Sequence, residues 1–342
     1  MGASLETQEM PTPAKIFDML LAHERTSALR AAIQLGVFEA VGEGIHDRKE
    51  IAARCTASER GIRILCDYLT IEGLLSKEGT SYSLTPVSAM FLDPKSPACV
   101  APIARFLGDP MLIRPFENLA EIVRSGRTSL PGDGSVEAEN PAWVEFAHSM
   151  APMMAPMAGP LGSIVLEGMT GELRVLDIAA GHGLFGIAVA RQDPQARIVG
   201  QDWASVLEVA KANAQKAGVG DRYETLPGSA FDVEFGGPYD IALLTNFLHH
   251  FDIPTCVSIL KKVRAALKPG GKAAALEFVP NEDRVSPPLP AAFALTMLAT
   301  TPSGDAYTFR DLEGMYQEAG YQSIIAYPVP RGPHTVVIGH TP

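Results

Sequence analysis

The segment Asp177-Ile-Ala-Ala-Gly-His-Gly183 decides the fold of this 342-residue chain. An apolar run that begins at Arg174 leads into it, and an apolar helical pattern begins at Leu184. A strand, a glycine-rich turn and a helix in this order are typical of the first unit of a doubly wound α/β sheet. Glycines let the backbone approach a ligand without a Cβ clash, and the helix N-terminus directs its amides at an anionic group. We therefore predict a ligand site at this turn.

Strand and helix patterns alternate after the turn. Besides 174–178, strands are predicted at 197–201, 223–227, 240–244 and 272–278, and helices at 184–191, 206–217 and 253–267. This alternation predicts a parallel sheet with helices on both faces. Residues 322–338 predict two more strands, as an antiparallel edge pair. The predicted fold class is α/β, with one nucleotide-binding half.

The first 100 residues have a different pattern. Helical spacing of apolar residues predicts helices at 28–38, after a cap at Asp47, and at 60–75, and a hairpin follows at 74–84. Three helices and a hairpin describe a winged-helix unit. Residues 110–157 predict a helical connector, with loops at 125–126 and 130–134.

Composition limits the classes of function. Hydrophobic residues make up 46% and charged residues 20%, which is ordinary for a globular protein. No apolar run approaches the ~20 residues that span a bilayer, and the N-terminus lacks a signal-peptide layout. We therefore expect a soluble, cytoplasmic protein. The four cysteines form no CxxC pair, so no zinc or redox motif is indicated, and the net charge of −11 argues against nucleic-acid binding.

The glycine-rich turn alone indicates a nucleoside cofactor without identifying it. Gly181, Gly183 and Gly186 match G-x-G-x-x-G, the dinucleotide fingerprint. Asp202, at the end of the second predicted strand, could accept both hydroxyls of a ribose or could cap the following helix. A dehydrogenase and a methyltransferase both fit these features.

Two further segments favour the methyltransferase. Gly228-Ser229-Ala230-Phe231 follows the third strand, where methyltransferases hold an adenine. Lys268-Pro-Gly-Gly271, before the fifth strand, is a turn common in that class. The glycine-rich turn also lies in the middle of the chain, after a helical unit.

Over nearly its whole length the chain resembles the small-molecule O-methyltransferase family, which includes caffeic acid and hydroxyindole O-methyltransferases. The matching stretches are 176–183, 200–202, 228–231, 247–252 and 296–308. The resemblance implies a winged-helix-like dimerisation domain at 1–100, a helical connector at 101–165 that contributes to the acceptor pocket, and a Rossmann-like methyltransferase domain at 166–342. It implies S-adenosylmethionine as the cofactor, S-adenosylhomocysteine as its product, no metal, and a homodimer.

The resemblance also implies a set of cofactor-binding positions: Asp177, Ala179, Gly181, Gly183, Asp202, Trp203, Gly228, Ser229, Ala230, Phe231 and Asn246. Ala179 and Ala180 stand where the family often has glycines, and such small residues permit close approach if φ stays negative. Ser229 replaces an aspartate that many members use for the adenine amino group. Trp203 is expected either against the adenine or in the core.

Catalysis is expected just beyond the fourth strand. A phenol has a pKa near ~10, so a base with a pKa near ~7 assists its deprotonation, and histidine fits. The resemblance places the general base on His249 and an orienting acid on Glu277. The neighbouring His250 replaces the family's usual acidic residue and is expected to be a cap or a partner of a buried carbonyl. A second family acid aligns with Ala306, so Asp305 is expected either to replace it or to close a turn.

The resemblance further implies an acceptor pocket for a small aromatic or polyketide-like hydroxyl compound. The expected residues, for each of which core packing is the alternative, are His148, Met150, Met153, Phe293, Met297 and Thr301. Ala147 replaces an asparagine of the family's pocket helix. Two other functions remain open at this point. One is C- or N-methylation or a SAM-fold reaction without transfer, and the other is a winged-helix DNA-binding regulator, against which the net charge and the lack of a basic recognition helix both count.

Overall fold

A computed structural model describes residues 12–342. Contacts divide the chain into two compact units, one that ends at Ala104 and one that comprises Arg105–Pro342. The three-part division expected from the sequence stays a prediction.

The first unit is mainly helical around one hairpin. Its elements are α1 (Ala14–Leu35), α2 (Val37–Gly42), α3 (Arg48–Arg54), α4 (Glu59–Ile71), β1 (Leu75–Glu78), β2 (Ser81–Leu84) and α5 (Pro86–Phe91). Gly36, at φ +72°, ends α1, and the Asp47 carboxylate caps α3 by accepting a bond from the Lys49 amide. The hairpin and the Asp47 cap are confirmed, but four helices precede the hairpin rather than three.

Five short or bent helices come next: α6 (Ile103–Leu107), in which the division between the units falls, α7 (Pro110–Glu117), α8 (Leu119–Ser125), α9 (Ala142–Ser149) and α10 (Ala151–Leu166). The loops predicted at 125–126 and 130–134 both interrupt this region. Among the described residues no single helix is long and apolar enough to cross a membrane. Helices α9 and α10, which meet at a bend of 68°, are long and apolar enough only when they are taken together.

The second unit is built on a seven-stranded sheet. Its strands are β3 (Arg174–Ile178), β4 (Arg197–Asp202), β5 (Tyr223–Pro227), β6 (Tyr239–Thr245), β7 (Leu267–Glu277), β8 (Gln322–Pro328) and β9 (Thr335–His340). The helices that alternate with them are α11 (Leu184–Gln192), α12 (Ala204–Lys216), α13 (Ile253–Ala266), α14 (Pro288–Thr300) and α15 (Phe309–Glu318).

The strand order is β5-β4-β3-β6-β7-β9-β8. Strands β3 to β7 are parallel, and β9 pairs antiparallel with both β7 and β8. The α/β class, the five parallel strands and the antiparallel edge pair are therefore confirmed. One boundary was wrong, because β7 begins at Leu267 and includes Lys268-Pro-Gly-Gly271, which the sequence had placed before the strand.

The strand order locates the site. Strand β3 lies between β4 and β6. The chain runs from β3 through β4 to β5 on one side and then crosses to β6 on the other side, so a crevice opens beyond the carboxyl end of β3. The segments that follow β3, β4, β5, β6 and β7 all lie at this edge of the sheet, and they contain most of the residues selected from the sequence.

A buried lysine holds α10 against the sheet. The Lys272 ammonium, on β7, donates to the carbonyls of Val165 (3.0 Å) and Glu167 (2.5 Å) at the C-terminal end of α10. Carbonyls at a helix C-terminus lack partners within the helix, and a cation there also interacts favourably with the helix dipole.

We expect Lys272→Met to lower the free energy of unfolding by about 2 kcal/mol, because it leaves these carbonyls without a charged donor. The matched control is Lys268→Met on the same strand, which removes only a partly exposed ion pair with Asp240 and should cost less than about 1 kcal/mol. Urea denaturation of the two variants measures the difference, and equal losses would contradict this role for Lys272.

Candidate active site

The turn after β3 adopts left-handed backbone at three positions. Ala179, Gly181 and Gly183 have φ values of +50°, +55° and +73°. The condition of a negative φ, under which an alanine permits close approach, is therefore not met at Ala179. A left-handed alanine costs about 1–2 kcal/mol relative to a relaxed backbone, so the surrounding bonds hold this turn in a strained form.

Asp177 supports the turn from behind. Its side chain is fully buried, and Oδ2 accepts a bond from the Gly186 amide at 3.0 Å. Burial raises the pKa of this carboxyl to about 7. A Cβ on Gly186 would lie 2.8 Å from the same oxygen, so glycine is required there. Asp177 therefore fixes the start of α11 rather than facing a ligand directly.

Gln201 and Asp202 tie three strand ends together. The side-chain amide of the buried Gln201 donates to the Gly228 carbonyl at 2.5 Å. The backbone carbonyl of Gln201 accepts from the Ala180 amide at 3.0 Å. The Asp202 carboxylate accepts from the amides of Gly181 (2.8 Å) and Trp203 (2.7 Å). The turns after β3, β4 and β5 thus form one bonded edge, and Gln201 is a member that sequence reasoning missed.

The turn after β5 contains the expected adenine segment. Gly228 has φ +126°, the Ser229 hydroxyl accepts from the Phe231 amide, and Ala230 is buried in the core. The Phe231 ring is partly exposed and stands edge-on to Phe251, with centroids 5.0 Å apart. Ala230 is thus placed as a packing residue, while Phe231 presents an apolar surface at the edge.

Trp203 packs rather than standing free. Its ring lies against a small cluster formed by Ala147, Val206 and Val209. This contact joins α9 to the start of α12, so the core alternative for Trp203 fits the structure.

The edge fits a nucleoside cofactor. Three strand-end turns converge there. Asp202, whose carboxylate can accept hydrogen bonds from hydroxyl groups, lies directly beside the left-handed backbone of Gly181. Burial raises the pKa of Asp202 to about 6, which leaves it ionised at neutral pH. Residues 12–342 contain no cluster of three or more His, Cys, Asp or Glu side chains that could hold a metal ion.

A buried histidine–glutamate pair lies beyond β6 and β7. His249 Nδ1 and Glu277 Oε2 are hydrogen-bonded, and both side chains are less than 6% exposed. The other Glu277 oxygen accepts from the amides of Phe247 (3.1 Å) and Leu248 (2.8 Å). Since the ionised carboxylate is acceptor-only, Nδ1 carries the proton and leaves Nε2 as the basic nitrogen. The structure brings these two predicted residues together.

His250 has a different environment. Its ring lies edge-on to Trp143, with centroids 5.3 Å apart, and 4.4 Å from the His249 ring. Burial, with a smaller contribution from His249, holds the pKa of His250 well below its usual range. Its Nδ1 is buried without a partner in the described part of the chain, so the expected bond to a carbonyl is not formed through that atom.

The Asp305 carboxylate makes no bond to the His249 ring. That group bonds to Arg284 (3.3 Å) and to the Ala306 amide (2.8 Å), whereas the Asp305 amide donates to the His249 carbonyl at 3.0 Å. The side chain is 42% exposed. Of the two alternatives for Asp305, these contacts fit the closing of a turn, because Arg284 and the Ala306 amide hold the carboxylate near the surface.

Thr301 and Gly304 shape the same loop. The Thr301 hydroxyl donates to the Met297 carbonyl and accepts from the Gly304 amide, so it closes the loop rather than offering a contact to an acceptor. A Cβ on Gly304 would collide with the His249 carbonyl. Gly304 is therefore a second residue that sequence reasoning missed.

An aromatic column leads to His249. Ring centroids separate His334 from Phe278 by 4.1 Å, Phe278 from Phe293 by 4.3 Å, and Phe293 from His249 by 4.9 Å. Phe293 was expected at this position, whereas Phe278 and His334 were missed. Aromatic rings in such an arrangement suit a flat apolar acceptor.

Asn246 connects this column to α10. It adopts φ +53°, accepts a bond from His334 Nε2 at 3.1 Å, and contacts the Met154 sulfur through its amide. Among the other expected pocket residues, Met150 and Met297 are buried, Met153 is half-buried, and His148 is exposed. A place for His148 in the pocket stays a prediction.

Comparisons with known proteins identify two domains in the chain. A sequence model of the O-methyltransferase domain matches residues 161–322, and one of the O-methyltransferase dimerisation domain matches residues 17–94. A crystal structure of a Nostoc punctiforme protein assigned as an O-methyltransferase is 47% identical, covers 97% of this chain and 100% of its own, and superposes with a TM-score of 0.93.

More distant relatives cover the chain equally well. The tetracenomycin polyketide synthesis 8-O-methyl transferase of Streptomyces glaucescens is 25% identical over 96% of this chain and 97% of its own. The structure of human N-acetylserotonin methyltransferase in complex with SAM is 22% identical, covers 100% of this chain and 99% of its own, and superposes with a TM-score of 0.83, which shows the shared fold.

The fold and the site thus define an S-adenosylmethionine-dependent methyltransferase. The chain belongs to the small-molecule O-methyltransferase family, as its sequence predicted.

The left-handed alanine yields a stability prediction. We expect Ala179→Gly to raise the free energy of unfolding by about 1 kcal/mol, because glycine adopts a positive φ without the Cβ penalty. The neighbouring Ala180→Gly is the matched control. Its φ is not positive and its side chain is buried, so this change should lower the free energy of unfolding by about 0.5–1 kcal/mol. Denaturant titration that gave the same sign for both variants would contradict the strain at Ala179.

Proposed function

We propose that His249 is the general base that takes the proton from an aromatic hydroxyl as the methyl group is transferred to its oxygen. S-adenosylmethionine supplies the activated methyl group when it is bound. The chain's own residues then have two tasks, which are to position the acceptor and to accept its proton.

The observation that carries this proposal is the buried pair of His249 and Glu277. Glu277 bonds to Nδ1 and so leaves Nε2 of His249 as the nitrogen that can take a proton, and the Phe293 ring lies 4.9 Å from the imidazole, centroid to centroid. The carboxylate also stabilises the imidazolium that forms when Nε2 takes a proton.

The cofactor is expected along the bonded edge of the three strand-end turns. Asp202 would accept hydroxyls of the ribose, and the segment 228–231 with Phe231 would border the adenine. The left-handed turn at 179–183 would approach the methionine part, near the N-terminus of α11.

The acceptor is expected to be a flat aromatic or polyketide-like compound with a free hydroxyl. The rings of Phe278 and Phe293 next to the base support this class. So do the substrates in the names of relatives, which include a 3-hydroxy-5-methyl-1-naphthoate 3-O-methyltransferase of Streptomyces sahachiroi, 27% identical over 91% of this chain.

A homodimer through the first unit is part of the proposal. The match to a dimerisation domain at 17–94 supports it, as do large apolar side chains on α1 that are more than half exposed: Ile16, Phe17, Met19 and Leu20. A cytoplasmic location stays a prediction.

The base is tested by His249→Asn. A panel of phenols, flavonoids and hydroxyquinones is first screened with the wild type to find an acceptor that it methylates. With that acceptor, kcat of His249→Asn should be about 10²- to 10⁴-fold below the wild-type value, because no group is left to take the proton. The affinity for S-adenosylhomocysteine, measured by calorimetry, should change less than about twofold. The control is His340→Asn. His340 pairs with Lys272, at the end of the strands opposite to His249, so this variant should keep wild-type kcat. Wild-type kcat in His249→Asn would refute the general-base role.

The ribose site is tested by pH. Since burial raises the pKa of Asp202 to about 6, protonation below that pH removes an acceptor for the ribose hydroxyls. The Kd for S-adenosylhomocysteine should therefore rise as the pH falls from 8 to 5, by at most about tenfold per pH unit for one proton.

Asp202→Asn should weaken binding at pH 8 by about tenfold or more and should flatten this pH dependence. A part that persists would belong to Asp177, whose pKa burial raises to about 7. Asp193→Asn, beyond the end of α11, is the control and should keep the wild-type profile. An unaltered profile in Asp202→Asn would exclude the carboxylate as the ribose acceptor.

A further inference from the structure

A lysine of α13 holds the segment that follows β5. The Lys262 ammonium donates to the carbonyls of Ala230 (2.9 Å) and Phe231 (2.8 Å). The same ammonium lies over the ring of the buried Phe235, 4.6 Å from its centroid, which is a favourable position for a cation. The general-base mechanism makes no use of Lys262.

The two carbonyls belong to consecutive residues, and one cation binds both of them. Hydrogen bonds from a charged donor are shorter and about twice as strong as bonds between neutral groups. Two such bonds fix the direction of two successive peptide groups, and therefore the path of the backbone through the turn. Lys262 is half-buried, so water competes only in part for its ammonium.

The Phe231 ring has separate contacts. It stands edge-on to Phe251 at 5.0 Å, and the Phe247 ring lies 6.2 Å from it, centroid to centroid. Both of these rings belong to the segment that joins β6 to α13. Phe231, which is 39% exposed, is thus fixed through its backbone by α13 and through its ring by the preceding segment.

Segment 228–231 is one of the turns of the bonded edge, and it is held at both ends. The Gln201 side chain, at the end of β4, bonds to the Gly228 carbonyl, whereas Lys262 bonds to the last two residues of the segment. A segment that is already ordered binds a ligand more tightly, because binding does not have to supply the free energy of ordering it.

We propose that Lys262 is a positioning residue for the cofactor, whose two bonds keep segment 228–231 in the form that receives the adenine. This inference rests on the cofactor site proposed above. Lys262 acts through the carbonyls of Ala230 and Phe231 and not through a contact of its own with the cofactor. Because the adenine does not change during methyl transfer, Lys262 should affect cofactor binding and leave the chemical step unchanged.

The test is Lys262→Met, which keeps an apolar stem beside Phe235 and removes the ammonium. The Kd for S-adenosylhomocysteine, measured by calorimetry, and the KM for S-adenosylmethionine should each rise about tenfold, because binding must then order the segment. With saturating cofactor and the acceptor found in the screen above, kcat should stay within about twofold of the wild-type value.

Two control variants accompany it. Lys262→Arg retains a charged donor with several N–H groups and should return Kd to within about threefold of the wild-type value. Lys261→Met removes the neighbouring lysine of the same helix, whose ammonium lies on the surface, 3.8 Å from the Glu318 carboxylate, and it should keep wild-type Kd and KM.

Four results would overturn the inference: wild-type Kd and KM in Lys262→Met, the same losses in Lys261→Met, no recovery in Lys262→Arg, or a fall of kcat at unchanged KM. Binding of S-adenosylhomocysteine by the wild type separates these results from the proposed function. If the wild type binds it, any of the four removes only the role of Lys262, whereas a wild type that does not bind it refutes the cofactor site itself.

A measurement on the unaltered protein covers the case in which Lys262→Met fails to fold. Reductive methylation with formaldehyde labels free amines, and fragment mass spectra give the labelling rate of each lysine. Lys262 should be labelled more slowly than Lys261. S-adenosylhomocysteine should slow the labelling of Lys262 further, because it keeps the carbonyls of the segment on the ammonium, and should leave the rate at Lys261 unchanged. Equal rates at the two lysines, or no effect of the ligand on Lys262, would contradict the proposal.

Discussion

One carboxylate organises the part of this enzyme where we propose that catalysis takes place. Glu277, at the end of β7, accepts bonds from the Phe247 and Leu248 amides with one oxygen and from His249 Nδ1 with the other. The two amides fix the turn that carries the histidine, and the ring bond fixes the histidine itself. Charge-assisted bonds in a buried site contribute about 1.5–3 kcal/mol each, so position and protonation of the base depend on the same group.

The proposed cofactor site depends in a similar way on hydrogen bonds between the turns that follow β3, β4 and β5. Gln201 bonds to the backbone of the turns after β3 and β5, and Asp202 bonds to Gly181. These bonds hold Ala179 in a left-handed conformation that an isolated chain would avoid. Strand β6 lies between β3 and β7 in the sheet, so one parallel sheet sets the distance between the proposed cofactor site and His249.

Much of this could be predicted from the sequence, because strand ends converge at one edge of a parallel sheet. Asp202, His249 and Glu277 each follow or end a predicted strand, and the structure places them at that edge. The features that were not predicted from the sequence depend on contacts between residues that are distant in sequence. The Asp305 carboxylate is held by Arg284, and the bonds of Gln201 become visible only when three turns are assembled.

Through its bond to Nδ1, Glu277 is proposed to keep the His249 ring in the tautomer that leaves Nε2 unprotonated. This role is tested by the ¹⁵N chemical shifts of the His249 ring in the wild type and in Glu277→Gln at neutral pH. We expect a protonated Nδ1 and an unprotonated Nε2 in the wild type, and loss of that single tautomer in Glu277→Gln. A wild-type ring protonated at Nε2, or identical shifts in the two proteins, would contradict it.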